Sequence, residues 1–338
     1  MNSIARVSVI IAARNEELTI GQCLSTILKQ TYPLELVEII VVDDHSTDAT
    51  LSVAGTVLQA FPQKQILSLS GDQDSHGKPA AIAYGLQHSS SDILLFTDAD
   101  CLASPCWIES TVAHFEHEVA FVAGAVLEEA SSTFLSALSS LEFLSLITTA
   151  AGLIGAGKPI ICNGANIAYR KSAFQKAGGF GEQFGSCDDE TIMQRMILRS
   201  VGTVRFNFDP RSRVFTKSPA TIRQFWLQRT RWASKQGHYE DRCILWKLLA
   251  LYSFFVVMLI SGILVVYDSS LIPILSSIAL LKALIDYRVL AAGARIFQIR
   301  LSLFDFFIAE IFHVPYIAIA ALVGQVASIR WKNRTVTA

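Results

Sequence analysis

The strongest constraint in this chain is an alternation of two periods. VSVIIAA (Val7–Ala13), VEIIVVDD (Val37–Asp44), KQILSLS (Lys64–Ser70) and SDILLFTDAD (Ser91–Asp100) are short runs rich in Val, Ile and Leu, as buried strands are. The segments between them follow a helical spacing. In NEELTIGQCLSTILKQT the apolar positions are Leu18, Ile20, Leu24, Ile27 and Leu28. STDATLSVAGTVLQAF opens on Ser46 and Thr47, good helix caps, and KPAAIAYGLQHS gives a third helix. Strand alternating with helix predicts an α/β domain with a parallel sheet covered on both faces. Ligands of such sheets bind beyond the carboxyl ends of the strands, where Asp43, Asp44, Asp98 and Asp100 stand. The first turn, AARNEE, lacks the glycines that bring a backbone close to a dinucleotide pyrophosphate, which disfavours an NAD-dependent enzyme.

The end of the chain obeys a different rule. Only 17% of residues are charged, and the deficit is concentrated after Ile244. ILWKLLALYSFFVVMLISGILVVY and LFDFFIAEIFHVPYIAIAALVGQVASI each exceed the roughly 20 residues that cross a bilayer. LIPILSSIALLKALI is shorter and carries Lys282, so two or three spans are expected. Arg288, Arg295 and Arg300 precede the last stretch, and Arg330, Lys332 and Arg334 follow it. With three spans these groups fall on opposite sides, and the positive-inside rule does not choose between them. FLSALSSLEFLSLITTAAGLI (Phe134–Ile154) reads as a core helix or as a helix lying in the membrane interface. Net charge is −1, which gives no field for nucleic acid. The six cysteines show no C-x-x-C or zinc spacing and suit a reducing compartment. Val7–Ala13 is too short for a signal sequence, so the first domain is expected to face the cytoplasm, anchored in the inner or plasma membrane.

Four constellations carry possible chemistry. Asp98 and Asp100 form a D-x-D at a strand end, able to hold Mg²⁺ or Mn²⁺ together with substrate phosphates, or to make a solvated turn. Asp43 and Asp44 suit a nucleobase N–H or a ribose hydroxyl, and Asp44, Ser46 or Thr47 equally suit capping of the next helix. CDDE puts Asp188, Asp189 and Glu190 at a helix start, as dipole partners or as a general base. QRTRW (Gln228–Trp232) suits either an anion or a basic collar at a membrane surface. Lys78 in HGKPAAI is an exposed loop lysine or a further phosphate contact. The seven histidines show no common metal spacing.

In this order the motifs resemble the family-2 glycosyltransferases: VSVIIAARNE, VVDDHSTDAT, DAD, the acidic pair and Q-x-x-R-W, with GKPAAI, GANIAYRKSAF and GGF as further landmarks. The resemblance spans about residues 5 to 240. It implies a GT-A nucleotide-sugar-binding domain with a mostly parallel sheet over 1–240, followed by a membrane region over 241–338. It also implies an inverting transfer from a nucleotide-sugar, a UDP-sugar, with Mg²⁺ or Mn²⁺, as in membrane-embedded relatives such as cellulose, chitin and hyaluronan synthases and ceramide glucosyltransferase. Carried over by motif, Asp44 with Asp43 contacts the nucleoside, Asp98 and Asp100 the diphosphate and metal, and Asp189 is the base. Gln228, Arg231 and Trp232 complete the site, and Lys78 assists with donor binding. The acidic pair is usually Glu-Asp and stands here as Asp188-Asp189. Three apolar stretches are few for a polysaccharide channel, which favours a lipid, lipid-linked or short saccharide acceptor. A processive synthase and an inactive sugar-nucleotide-binding protein are the rival expectations.

Overall fold

A computed structural model describes residues 5–69, 77–129, 133–180, 188–233, 241–326, 329–331 and 334–336. The first four strands are β1 (Val7–Ala13), β2 (Val37–Asp43), β3 (Lys64–Ser68) and β4 (Ile93–Phe96). They pair in parallel in the order β3-β2-β1-β4, with Val7 opposite both Val37 and Ile93. The helices between them are α1 (Ile20–Ile27), α2 (Thr50–Val57) and α3 (Lys78–His88). Both faces of the central strands are covered, and Val9, Ile10, Ile39, Ile40 and Leu95 are buried. α3 lies so close to the sheet that a Cβ on Gly85 would come 2.8 Å from Ile10 Cγ2.

Two local expectations change. Leu18 precedes α1 and is 84% exposed, so the apolar face begins at Ile20. α2 is not capped by Asp44, Ser46 or Thr47. The chain stays in a loop to Asp48, whose Oδ1 accepts from Thr50 N at 3.0 Å, while the Ser46 and Thr47 amides bond to Asp43 and Asn15.

Beyond β4 come β5 (Leu102–Ala103), α4 (Trp107–Val112), β6 (Val119–Gly124), β7 (Val126–Glu128) and α5 (Phe134–Gly155). There follow β8 (Ile167–Arg170), α6 (Lys171–Lys176), α7 (Asp188–Leu198), β9 (Thr203–Asn207) and β10 (Val214–Thr216). The main sheet continues β4-β8-β6-β9, with β8 antiparallel to both of its neighbours and β6 parallel to β9. The sheet is therefore mixed but mostly parallel. Tyr169 of β8 stacks on Phe96 at 4.4 Å, on Phe121 at 5.9 Å and on Phe174 at 5.6 Å, tying the inserted antiparallel strand to its neighbours. β5, β10 and β7 form a small second sheet.

The last helices are α8 (Ile222–Ala233), α9 (Arg242–Leu264), α10 (Ile272–Ile296) and α11 (Leu303–Val326). The chain separates into two compact units: Met1–Glu129 with Ala150–Lys217, and Ala130–Thr149 with Ser218–Ala338. The start of α5 and all of α8 thus group with the apolar helices. Four described helices are long and apolar enough to cross a membrane: Phe134–Gly155, Arg242–Leu264, Ser269–Ile296 and Leu303–Val323. The short second stretch becomes a 25-residue helix because α10 continues through Tyr287 to Ile296.

Within the second unit four ionisable residues of α10 and α11 meet: Lys282, Asp286, Glu310 and His313. Lys282 Nζ donates to Asp286 Oδ2 and Glu310 Oε2, both at 2.7 Å, and lies 3.0 Å from His313 Nδ1. Pairing is what makes such groups tolerable in an apolar setting. Leu280 and Phe304, by contrast, are 73% and 70% exposed, as lipid-facing side chains are.

Candidate active site

The carboxyl ends of β1 and β2 are knitted by their following loops. Asn15 and His45 both take positive φ, 51° and 57°. Asn15 N donates to Ser46 Oγ at 2.9 Å, and Asn15 Oδ1 accepts from Thr47 N at 2.9 Å. Glu16 N donates to Thr50 Oγ1 at 2.8 Å, and Glu17 Oε2 accepts from Ala49 N at 2.9 Å. The AARNEE turn thus serves as a brace for the second loop.

Asp43 and Asp44 end β2 in different states. Asp44 is committed: its Oδ2 accepts from Gly77 N at 3.1 Å and pairs with Arg14 Nη1 at 3.8 Å, and its Oδ1 lies 3.2 Å from His45 Nδ1. Asp43 is 3% exposed, and its Oδ2 accepts from Ser46 N at 3.1 Å. Its Oδ1 is buried and has no hydrogen-bond partner among the described residues. A buried acceptor left without a donor costs about 1–3 kcal/mol, which a ligand N–H or O–H there would offset.

The D-x-D follows β4. Asp98 and Asp100 carboxylate oxygens and Cys101 Sγ lie within 4.8 Å of one another. Both carboxylates are partly open to solvent, while Cys101 is buried. Burial, with the Asp100 and Asp98 carboxylates adding to it, pushes the Cys23 and Cys101 thiols well above their ordinary range. Thiol sulfur is a soft donor, so the hard donors here are the carboxylate oxygens. Two partly exposed carboxylates suit Mg²⁺ or Mn²⁺, which also take phosphate oxygens and water.

Lys78 opens α3 and lies 2.6 Å from Asp98 Oδ1. Asp189, in the first turn of α7, is 8% exposed. Its Oδ2 accepts from Gly164 N at 2.7 Å, and its Oδ1 from Glu190 N at 3.0 Å. Gly164 joins the two charges: a Cβ there would lie 3.0 Å from Asp189 Oδ2 and 3.1 Å from Lys78 Nζ. Lys78, with Asp98 paired to it, and Asp189 therefore flank one backbone position where a side chain would be tight. The Asp188 side chain lies outside the described residues.

Gln228, Arg231 and Trp232 sit on α8, in the second unit. Trp232 packs on Phe143 of α5, 5.8 Å between ring centroids. Sequence reasoning missed Gly164 as a contact, and it missed the partners of the lone Glu142 in α5. The signal for the latter was there: a carboxylate in an apolar helix demands a cation or donors. An open cleft of about 240 Å³, lined by Arg6, Glu38, Lys64 and Ser90 among others, lies at the amino ends of the strands, away from these groups.

Comparison with known proteins decides the family. The model of glycosyl transferase family 2 matches residues 8–178, half of the chain. The chain belongs to that family. A probable glycosyltransferase, YdaM, of Bacillus subtilis (strain 168) is 28% identical to this family-2 chain over 69% of its length and 56% of its own. A beta-monoglucosyldiacylglycerol synthase of Synechocystis sp. is 27% identical, over 72% of this chain and 50% of that protein. A poly-beta-1,6-N-acetyl-D-glucosamine synthase of Staphylococcus epidermidis is 25% identical, over 69% and 55%. The chain spans about half the length of these relatives. Among solved structures, the mannosyltransferase PcManGT of Pyrobaculum calidifontis, in complex with GDP-Man and Mn²⁺, superposes with a TM-score of 0.62. The match is 19% identical and covers 96% of this chain and 88% of that one, a likeness of fold.

Proposed function

We propose that this family-2 chain is an inverting, metal-dependent glycosyltransferase. It moves a sugar from a UDP-sugar to a lipid, lipid-linked or saccharide acceptor at a membrane. The observation that carries the reading is the approach of Lys78, with Asp98 paired to it, and of Asp189 to Gly164. An acceptor hydroxyl oxygen bonds to the anomeric carbon as the bond from that carbon to the diphosphate oxygen breaks. Asp189 takes the hydroxyl proton, and the diphosphate leaves with the electron pair, its charge met by Lys78. A buried carboxylate held by two backbone N–H groups is aimed before substrate arrives. Asp98 and Asp100 would hold the metal, which neutralises the diphosphate when bound.

Asp43 is the better nucleoside contact, because Asp44 is already committed and Asp43 Oδ1 is the buried acceptor in need of a donor. The roles of Gln228, Arg231 and Trp232, on the leaving diphosphate and the acceptor, rest on the motif. The four long apolar helices support an integral membrane enzyme, and the glucosyldiacylglycerol-synthase relative supports a lipid acceptor. The cytoplasmic face of the inner or plasma membrane is the proposed location, since nucleotide-sugar and reduced cysteines share that side.

A processive polysaccharide synthase is the second reading, favoured by the likeness to the poly-N-acetylglucosamine synthase. Nucleoside diphosphate release from a panel of UDP- and GDP-sugars tests the proposal, using detergent-solubilised protein with Mn²⁺, Mg²⁺ or EDTA, with and without membrane lipid extract. Metal-dependent UDP release stimulated by lipid supports it. Release from GDP-sugars alone overturns the UDP assignment, and a long polymer as product favours the second reading.

A further inference from the structure

The two arginines of QRTRW have different surroundings. Two residues apart on a helix, Arg229 and Arg231 point to different faces. Arg229 is 3% exposed and fully engaged. Its Nε donates to Glu142 Oε2 at 2.9 Å, and its Nη2 to Ser139 Oγ at 2.9 Å. Its Nη1 donates to the side-chain oxygen of Gln228. Phe225 and Trp232 cover the guanidinium, with ring centroids 4.4 and 4.6 Å away. The other oxygen of Glu142 accepts from the Tyr316 hydroxyl of α11 at 2.7 Å.

We propose that Arg229 and Glu142 are positioning residues for the Q-x-x-R-W motif. The inference rests on the reading of Gln228 and Trp232 as site residues. An arginine donor meets only the oxygen end of an amide, so Arg229 fixes the orientation of Gln228 and leaves its NH₂ to donate elsewhere. The same guanidinium, stacked on Trp232, fixes the plane of that indole. Glu142 holds Arg229 in turn, and because it takes the Tyr316 hydroxyl it makes the motif depend on α5 and α11 together. The lone acid of α5 and the second arginine of the motif thus have one joint task.

A pair that merely fastened helices would change stability and leave turnover alone. The test compares wild type, Q228A, R229K, E142Q and the double variant Q228A/R229K as full-length protein in detergent, by UDP release from the active UDP-sugar. R229K and E142Q are expected to lower kcat about ten-fold or more with donor KM nearly unchanged, as expected for misaligned groups. In the Q228A background R229K is expected to cost less than it does alone, because part of its effect acts through Gln228. Wild-type kcat in R229K and E142Q beside an impaired Q228A overturns the inference, as does a fully multiplicative double variant. Wild-type kcat in Q228A overturns the reading of the motif beneath it.

A second measurement is independent of turnover. The near-ultraviolet circular dichroism difference between wild type and W232F reports the fixed indole. It is expected to collapse in the R229K background; a difference of unchanged size there overturns the locking of Trp232.

Discussion

Lys78 Nζ lies 2.6 Å from Asp98 Oδ1, while the same ammonium approaches the position of Gly164 that carries Asp189. One lysine therefore stands between the D-x-D and the carboxylate proposed as base. In the proposed mechanism this cation would face the diphosphate and stand beside the base.

The D-x-D assignment predicts that Asp100→Ala removes metal-dependent donor binding. Calorimetry of UDP with Mn²⁺ and then with EDTA checks it: wild type should bind more tightly with metal, and the variant should bind equally weakly in both. An undiminished metal effect in the variant would remove Asp100 from the metal set.

Gly164→Ala tests the close approach. The new Cβ would sit 3.0 Å from Asp189 Oδ2 and 3.1 Å from Lys78 Nζ, so these neighbours must give by a few tenths of an ångström. Turnover should fall, but by less than the ~10²-fold that a displacement of about 1 Å costs, because a few tenths of an ångström relieves the contact. The thermal midpoint should change little. Steady-state kinetics beside thermal unfolding separates the two effects, and normal turnover would show that the geometry around Gly164 is not used.

The buried thiols beside the D-x-D should be inert. Cys23 and Cys101 are held protonated by burial, with the nearby Asp100 and Asp98 adding to it, whereas Cys243 is exposed. Maleimide labelling of native protein followed by peptide mapping should modify Cys243 and spare Cys23 and Cys101. Rapid modification of either buried thiol would contradict the packing behind the site.

Glu38 gives the first unit a pH dependence. Burial works to raise its pKa, but hydrogen bonds from Ser8, Ser90 and Gln65 outweigh it and hold the carboxyl below its ordinary range. A lowered folded-state pKa stabilises the fold above the unfolded value, and that contribution is lost as pH falls through the folded one. The gap in thermal midpoint between wild type and Glu38→Gln should be widest near neutral pH and close on acidification. A constant gap from about pH 7 to 3 would show that ionised Glu38 is not the source.

Much of the sheet was legible because each strand is short, apolar and bounded by turns. β1 to β4 stand where VSVIIAA, VEIIVVDD, KQILSLS and the LLF run predict them. The landmarks GANIAYRKSAF and GGF lie on β8, α6 and the turn after them, with Gly178 and Gly179 at positive φ. The antiparallel direction of β8 was not legible, since periodicity carries no strand direction. The capping of α2 was misread because Asn15 and Asp43 claim the candidate loop amides from outside the segment. Within the site, residue types with strong chemistry were visible, but their partners were not. Asp43 and Asp44 look alike in sequence, and only the fold shows that Asp44 is committed to Arg14 and Gly77 while Asp43 retains an unmet oxygen. The group around Lys282 in the apolar helices followed the same pattern: the charge of Lys282 was evident, its pairing was not.

The central claim is that Asp189 takes the proton from the acceptor. The most direct measurement sets UDP release by Asp189→Asn beside the affinity of the same variant for UDP. The account predicts a fall in turnover of about 10²- to 10⁴-fold, the usual range for loss of a general base, with UDP affinity nearly unchanged. Wild-type turnover in Asp189→Asn would contradict it, and the base would then have to be sought elsewhere in the chain.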